Sequence, residues 1–243
     1  MAAEPGPSPS RRSGLPSAAH TTAMRLETPA SSVNSTKLAP PGKHAELLVD
    51  RTGLGALIAQ CAPQRQVVVV APAGYGKTSV LAQVRDRLRA DGGITAGWLS
   101  LDEEDDDLGR FLLHVVEAIR AAGSHAGQAT LALLRSGVSL PPAVLKATLL
   151  NELAALEKPT LLFIDDFHRI SDRSVIATVQ AILLASLEHF HLLIATRNAH
   201  ALPLSQLRVR GAVLEIGGQD LCFSATEVDE FFATIETKTP EEI

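Results

Sequence analysis

Residues 71–78, APAGYGKT, join two glycines to a lysine and a hydroxyl residue, and they lie between an apolar run and a helix-like stretch. Gly74 and Gly76 carry no Cβ, so backbone N–H groups can converge there on phosphate oxygens, and the positive end of the next helix attracts the same anion. Lys77 can reach the β- and γ-phosphates of a nucleotide, and the Thr78 hydroxyl can bind Mg²⁺. A strand, a glycine-rich turn and a helix in this order predict a nucleotide site, against the alternative of a coincidental glycine turn. The residues predicted to bind the nucleotide in this segment are Ala73, Gly74, Tyr75, Gly76, Lys77, Thr78 and Ser79.

Ala71 stands where the usual phosphate-loop signature has its first glycine. An alanine disfavours positive φ, and Pro72 fixes its own φ and keeps the preceding residue out of the helical region. We therefore expect Ala71 to have negative φ and the loop to be stiffened but open.

The segment 160–166, TLLFIDD, is an apolar run that ends in two carboxylates. In α/β proteins, ligands bind at the carboxyl ends of the strands, and Asp165 there can hold Mg²⁺. Asp166 can then orient or deprotonate an attacking water. The alternative is a solvated loop with an aspartate turn.

A further apolar run, residues 191–197 (HLLIATR), ends in Arg197. A guanidinium at the same edge of the sheet can contact a γ-phosphate and report its presence, whereas the alternative is an ordinary surface arginine. The predicted catalytic residues are Lys77, Asp165, Asp166 and Arg197, and the predicted Mg²⁺ ligands are Thr78 and Asp165.

Two other polar groups could suggest a metal site. The acidic run 102–107, DEEDDD, is better explained as a solvated loop whose last carboxylates favour the start of the next helix. His168, His189 and His191 form no recognised metal pattern, and we interpret them as structural or exposed histidines.

Strands and helices must alternate to position these residues. The hydrophobic pattern predicts strands at 67–70, 97–101, 160–164, 191–195 and 213–216 and helices at 78–90, 108–121, 143–157, 173–188 and 225–234. This alternation predicts an α/β fold of the P-loop NTPase type, with a five-stranded parallel sheet flanked by helices on both faces. Ser224 and Glu227 form a capping-box pattern that marks the start of the last helix.

Composition divides the chain into three parts. Residues 1–36 are rich in Ala, Ser and Pro without apolar periodicity, and we expect a disordered tail, or a start of translation at Met24. Residues 37–234 form the predicted domain, and 235–243 a frayed end. The Gly- and Ser-containing linker 122–142 is expected to wrap the outside of the domain.

Charge and composition limit the classes of function. The net charge of −5 disfavours direct DNA binding by this chain. Cys61 and Cys222 lack the spacing of a disulfide framework or a zinc site. Without an export signal or an apolar run of about 20 residues, we expect no membrane association and a cytoplasmic location.

Several segments together resemble the N-terminal nucleotide-binding domain of the MalT-like, large ATP-binding LuxR-type transcription regulators, within the STAND class of P-loop ATPases. They are TKLAPP, VDRTGL, APAGYGKT, WLSLDEEDDDLGRF, FIDDFHRI, IATR and LPLSQLRVRGAVLEIGGQDLCFSATEVDEFF, which cover about residues 36–232. The alanine at 71 is similar to that family's own version of the loop.

The resemblance implies a site and a mode of action. It implies that the Arg197 strand lies between the phosphate-loop strand and the Asp165 strand, and that Val49 and Arg51 lie in the loop that packs on adenine. It also implies ATP, ADP and Mg²⁺ as ligands, with a closed ADP-bound monomer that converts to an ATP-bound form able to assemble. Such regulators continue into a winged-helix arm, a helical-repeat sensor and a helix-turn-helix, which residues after 232 cannot supply, so we expect a truncated product or a stand-alone module.

The leading hypothesis is an ATP-binding, slowly ATP-hydrolysing signalling domain that self-associates or associates with full-length relatives. A small-molecule P-loop kinase is one alternative, although Arg135 is the only arginine in the 122–142 segment that would have to serve as its lid. A non-catalytic interaction fragment is the other alternative.

Overall fold

The computed structural model describes residues 34–42, 49 and 51–236, and within them strands alternate with helices. The strands are β1 (Gln66–Val70), β2 (Thr95–Ser100), β3 (Thr160–Asp165), β4 (Phe190–Thr196) and β5 (Val213–Ile216). The helices are α1 (Thr52–Cys61), α2 (Lys77–Ala90), α3 (Leu108–Ala121), α4 (Gln128–Arg135), α5 (Pro142–Ala154), α6 (Arg173–Leu184), α7 (Leu204–Val209) and α8 (Ala225–Glu236).

The strands form one sheet in the order β2-β3-β4-β1-β5, and every pair is parallel. This confirms the predicted fold class, and it confirms that the strand ending before Arg197 lies between the phosphate-loop strand and the Asp165 strand. The carboxyl ends of β1, β3 and β4 therefore meet at one edge of the sheet, where α/β proteins bind ligands.

The core has two halves because successive strand residues point to opposite faces of the sheet. In β3, Leu162 and Ile164 belong to the apolar cluster shared with α3, α5 and α6, whereas Leu161 and Phe163 belong to the cluster shared with α2. All residues of β3 and β4 are buried. Burial on both faces explains why these strands appear as continuous apolar runs.

The structure corrects several predicted elements. The linker 122–142, which was expected to wrap the outside of the domain, contains the unpredicted helix α4, which packs against α3 and α5. The helices α1 and α7 were not predicted. α5 and α6 end three and four residues before the predicted ends at 157 and 188.

Two elements lie at the predicted boundaries of the domain. A short 3-10 turn, Ser35–Leu38, begins inside the predicted tail, and α8 extends to Glu236. The remainder of the tail and residues 237–243 lie outside the described residues. The capping box of α8 is confirmed, since Ser224 N donates to Glu227 Oε2 at 2.8 Å and Glu227 N donates to Ser224 Oγ at 3.3 Å.

The interpretation of the acidic run as a solvated loop is wrong for Asp105, whose side chain is fully buried. Lys37 Nζ donates to Asp105 Oδ2 at 2.9 Å, and His114 Nδ1 lies 2.5 Å from Asp105 Oδ1. Burial would raise the pKa of Asp105, but hydrogen bonds from His114, the loop backbone and Lys37 outweigh that effect and lower it. The other part of the interpretation is confirmed, because Asp107 caps α3 by accepting from Arg110 N at 2.9 Å.

Lys37→Met is expected to lower the free energy of unfolding by about 3 kcal/mol at pH 7, because the buried Asp105 charge loses its cation. Since the folded-state pKa of Asp105 is lowered, its carboxylate stabilises the fold above its ordinary pKa of about 4, and this stabilisation is lost as the pH falls through the folded-state pKa. The difference between wild type and variant should therefore shrink below about pH 4.

Urea unfolding at pH 7 and at about pH 3 measures this difference. Lys158→Met, which changes an exposed lysine ahead of β3, is the matched control and should be neutral. Equal stability of wild type and Lys37→Met at pH 7, or a difference that does not depend on pH, would contradict the assigned ion pair.

The close packing of α3 on β2 predicts a second stability effect. A Cβ at Gly97 would lie 2.8 Å from the carbonyl oxygen of Ala118, which belongs to the α3 backbone and cannot rotate away. Gly97→Ala should therefore destabilise the fold by about 1 to 3 kcal/mol. Gly93→Ala is the control, since nothing lies within 4 Å of its added Cβ. A Gly97→Ala urea midpoint equal to that of Gly93→Ala would disprove the tight contact.

Two further features concern the cysteines and the possibility of a membrane-spanning helix. Cys61 and Cys222 are free thiols. Among the helices of the described residues, none has both the length and the apolar composition needed to cross a bilayer.

Candidate functional site

The loop between β1 and α2 has the backbone that phosphate binding requires. Gly74 and Gly76 have φ values of 86° and 77°, which are accessible to glycine without strain. Among the described residues other than glycine, only Asp166 and Ser186 have positive φ. Ala71 therefore has negative φ, as predicted, and residues 72–76 are exposed, so the loop is open to solvent.

Lys77 is the first residue of α2, and only 7% of its surface is exposed. Its Nζ donates to the carbonyl oxygen of Pro72 at 2.9 Å and so spans the base of the loop. Burial lowers the pKa of this ammonium, and the nearby carboxylates of Asp165 and Asp166 oppose that effect. An anion within the loop would supply the charged partner that a neutral carbonyl does not.

Asp165 ends β3 and is buried, with 3% of its surface exposed. Thr78 Oγ1 donates to Asp165 Oδ2 at 2.7 Å, so the two predicted Mg²⁺ ligands are in direct contact. Burial raises the pKa of Asp165, and the hydrogen bond from Thr78 only partly offsets this. A hydroxyl beside a buried carboxylate fits Mg²⁺, which binds hard oxygen ligands and would compensate the cost of burying the charge.

The described residues contain no group of three or more His, Cys, Asp or Glu side chains that could hold a metal ion by themselves. Mg²⁺ is commonly bound by one or two protein oxygens together with substrate phosphates and water. The Thr78–Asp165 pair matches that mode of binding and not an all-protein metal cage.

Asp166 follows Asp165 with φ at 58°, an unusual conformation for a residue other than glycine. Its N–H donates to Asp165 Oδ1 at 2.9 Å, while its own side chain is 39% exposed. Asp166 and Arg197 both line a cavity of about 380 Å³. The residues that line this cavity are Ala73, Gly74, Gly76, Lys77, Thr78, Ser79, Asp166 and Arg197.

His168 lies near Asp166, which lines this cavity, although the sequence predicted no role for His168 there. Its Nδ1 is 3.8 Å from Asp166 Oδ1, is buried, and has no hydrogen-bond partner among the described residues. Burial and the charge of Arg197 lower its pKa. The only signal in the sequence that could have identified His168 was its location two residues after the aspartate pair.

A second cavity, of about 310 Å³, lies on the other side of the phosphate loop and shares Gly74, Gly76 and Ser79 with the first. Its lining consists of Val49, Arg51, Gly74, Tyr75, Gly76, Ser79, Leu221, Cys222 and Phe223. Gln83 of α2 fixes one wall, because its Nε2 donates to Val49 O at 2.8 Å and its Oε1 accepts from Arg51 N at 3.0 Å. A cavity of mixed apolar and polar lining next to a phosphate loop suits a planar base.

Arg51 links this cavity to the segment after β5. Its guanidinium donates to the carbonyl oxygens of Leu221 at 2.8 Å, Cys222 at 3.2 Å and Asp220 at 3.3 Å. It also pairs with Glu227 Oε1 at 2.9 Å. The guanidinium carbon lies 5.0 Å from the centre of the Phe223 ring, within the range of a cation–π contact. Because these protein groups occupy its donors, Arg51 supports the wall of the cavity.

The structure therefore brings every sequence-predicted site residue to the two adjoining cavities or, for Asp165, to the Thr78 hydroxyl beneath them. Five further residues at the site were not predicted from the sequence: Gln83, His168, Leu221, Cys222 and Phe223. The last three lie after β5, and nothing in their local sequence indicates that Arg51 holds them beside the loop.

Comparison with known proteins is consistent with this geometry. A family model of the AAA ATPase domain matches residues 51–195, more than half of the chain. The transcriptional regulator MalT of Cronobacter sakazakii is 36% identical over 189 residues, which are 77% of this chain and 20% of that protein. MalT of Klebsiella pneumoniae is 35% identical over 168 residues, 69% of this chain and 18% of that protein. The chain thus spans about one fifth of the length of these relatives.

Solved structures support the fold alone. The Orc1 protein of Aeropyrum pernix has a TM-score of 0.52 at 16% identity, covering 81% of this chain and 52% of that chain. Cdc6p of Pyrobaculum aerophilum has a TM-score of 0.50 at 13% identity, covering 83% and 53%. The family-model match over more than half of the chain and the identity to MalT show that the chain belongs to the family of AAA ATPase domains and that within it the chain is MalT-like, as the sequence resemblance predicted.

Proposed function

We propose that this chain is an ATP-binding domain that hydrolyses ATP slowly and acts as the nucleotide switch of a MalT-like transcription regulator. The observation that carries the proposal is the convergence of Lys77, Thr78, Asp166 and Arg197 on one cavity that adjoins a second cavity suited to a base. In this proposal, one nucleoside triphosphate spans the two adjoining cavities, with its base in the second cavity and its γ-phosphate in the first.

In this proposal each side chain has a role set by its position. Lys77 pairs with the β- and γ-phosphates, and the backbone N–H groups around Gly74 and Gly76 donate to phosphate oxygens. Mg²⁺, when held by Thr78 and Asp165, would neutralise charge that develops on the transferred phosphoryl group.

Hydrolysis requires a placed water and a stabilised γ-phosphate. We propose that Asp166, whose exposed carboxylate faces the cavity, orients or deprotonates the attacking water. Arg197, which lines the same cavity, would contact the γ-phosphate and so distinguish ATP from ADP. Both residues directly follow strands of the sheet, so their backbones lie at its carboxyl edge before the nucleotide binds.

The base would lie between Val49, Tyr75 and Phe223, in the cavity whose wall Arg51 supports. Isothermal titration of the purified chain with ATP and ADP, with and without Mg²⁺, tests the binding step. We expect saturable binding of one nucleotide per chain, stronger for ATP when Mg²⁺ is present. Absence of heat exchange at millimolar ATP at two different temperatures would refute the proposal, because a binding enthalpy that is zero at one temperature differs from zero at another.

A small-molecule kinase needs an acceptor site and a lid over the γ-phosphate. The segment that would have to serve as the lid contains α4, whose first turn is pinned to α5 because Glu152 accepts from the N–H groups of Ala129 at 2.7 Å and Thr130 at 3.0 Å. This observation favours a switch over a kinase, and steady release of phosphate without any acceptor is the expected behaviour.

The proposed partners follow from the proposed role as a nucleotide switch. We propose that ATP promotes self-association or association with full-length relatives, and that this chain does not itself bind DNA, in keeping with its net charge of −5. Sedimentation velocity with ADP and with ATP tests this, and identical sedimentation in both nucleotides would refute association driven by ATP.

A further inference from the structure

The acidic run 102–107 begins beside the β3 strand and contacts Lys37 and the segment that follows β3. The proposed nucleotide site does not account for these contacts. The run leaves the sheet beside the Asp165 strand, because Ser100 pairs with Asp165 and Leu101 N donates to Asp165 O at 3.1 Å. The run therefore begins next to the proposed site for Mg²⁺.

The first four residues of the run are anchored by Lys37 and the core. Asp105 is fully buried beneath the ammonium of Lys37, which also pairs with Asp102 Oδ1 at 2.6 Å. Asp105 Oδ2 in turn accepts from Asp102 N at 3.0 Å, which closes a capping box within the run. These contacts fix the backbone from which the next residue projects.

Asp106 points away from this buried cluster and toward the turn that follows β3. Its Oδ1 accepts from Ser171 N at 2.8 Å and from Asp172 N at 2.6 Å, and its Oδ2 accepts from Ser171 Oγ at 2.5 Å. Burial would raise the pKa of Asp106, but these bonds outweigh it and lower the pKa, so the side chain is charged near neutral pH.

The segment that Asp106 holds begins with Asp166. From Asp166, the chain makes a 3-10 turn, Phe167–Arg169, and then reaches Ser171 and Asp172, the N-cap of α6. Phe167 is buried against the core. A residue other than glycine at φ 58° costs on the order of 1 kcal/mol or more and persists only where its surroundings hold it. The turn is thus held by the core at Phe167 and by Asp106 at its far end.

We propose that Asp106 is a positioning residue for ATP hydrolysis: by holding the 167–172 turn, it keeps the Asp166 carboxylate aligned with the cavity that contains Lys77 and Arg197. This inference rests on the proposed function. In this inference the acidic run acts in turnover, and the Lys37–Asp105 pair anchors the run. None of these side chains contacts the nucleotide.

Asp106→Ala tests the inference by separating turnover from binding. We expect hydrolysis to fall by about 10- to 100-fold, because a small displacement of a catalytic group is sufficient for such a loss. The dissociation constant for ATP should stay within about threefold, since Lys77 and the base cavity are untouched. Asp106→Asn, which keeps an oxygen for the Ser171 and Asp172 N–H groups, should recover part of the rate.

Asp107→Ala is the matched control. It removes an adjacent carboxylate that also accepts a backbone hydrogen bond, but from Arg110 N at the start of α3. It should cost about 1 kcal/mol of stability through the lost cap and leave turnover unchanged.

All variants are assayed beside wild type, with thermal unfolding recorded for each. Absence of hydrolysis by wild type would refute the proposed function. With an active wild type, the inference alone is overturned by equal turnover in Asp106→Ala, by loss of binding in parallel with loss of turnover, or by an equal loss of turnover in Asp107→Ala.

Discussion

Lys77→Ala is expected to abolish ATP binding, with an affinity loss of about 100-fold or more. Lys77 supplies the ammonium at the base of the phosphate loop, and hydrogen bonds to charged groups are worth about 1.5 to 3 kcal/mol each. Removing the ammonium removes at least one such bond to the β- and γ-phosphates and leaves their charge uncompensated. Filter binding with labelled ATP measures the loss.

Lys158→Ala is the matched control, because Lys158 is exposed at the opposite edge of the sheet, ahead of β3. It should bind ATP as wild type does. Unchanged affinity in Lys77→Ala would mean that the nucleotide does not lie in this loop. Reduced affinity in both variants would indicate a general effect of positive charge on the binding of a polyanion.

Asp166→Asn is expected to bind ATP as wild type does while losing hydrolysis, by about 100-fold or more. General acid–base catalysis by a positioned side chain contributes about 10²- to 10⁴-fold, and the amide cannot accept a proton from the attacking water. Asn tolerates the left-handed conformation that Asp166 adopts at φ 58°, so the backbone of the turn should persist. Phosphate release under saturating ATP measures the rate.

Asp91→Asn, at the exposed end of α2, controls for the loss of one negative charge. It should hydrolyse ATP at the wild-type rate. Undiminished hydrolysis in Asp166→Asn would remove Asp166 from the mechanism, and the inference about Asp106 would lose its physical basis at the same time.

Much of the fold could be predicted because strands buried on both faces have sequences that are almost entirely apolar. β3 and β4 are buried on both faces, so each is a continuous apolar run that ends in a polar residue at the edge of the sheet. α1 was missed because Gly53 and Gly55 weaken its helical pattern, and only Gly55 and Ile58 of this helix are buried. α4 was missed because it is short and lies between glycine-containing turns.

The site was predictable where its residues are neighbours in sequence. The phosphate loop is one segment, and Asp165, Asp166 and Arg197 each end an apolar run. The supports of the site come from far away in the chain: Arg51 binds carbonyl groups about 170 residues later, and Lys37 pairs with an aspartate 68 residues later. A run of acidic residues suggests a solvated loop when the cation that pairs with one of them lies far away in the sequence. For this reason the interpretation of Asp105 was wrong.

A single turnover decides most directly whether this chain is a nucleotide switch, with the chain in excess over Mg²⁺·ATP labelled at the γ-phosphate and with no acceptor present. We expect the chain to retain the label and then to release it as inorganic phosphate, at less than about 1 per second and so below the usual range of kinases. ATP that is neither retained nor cleaved would contradict the claim that this loop and its facing residues form a nucleotide switch.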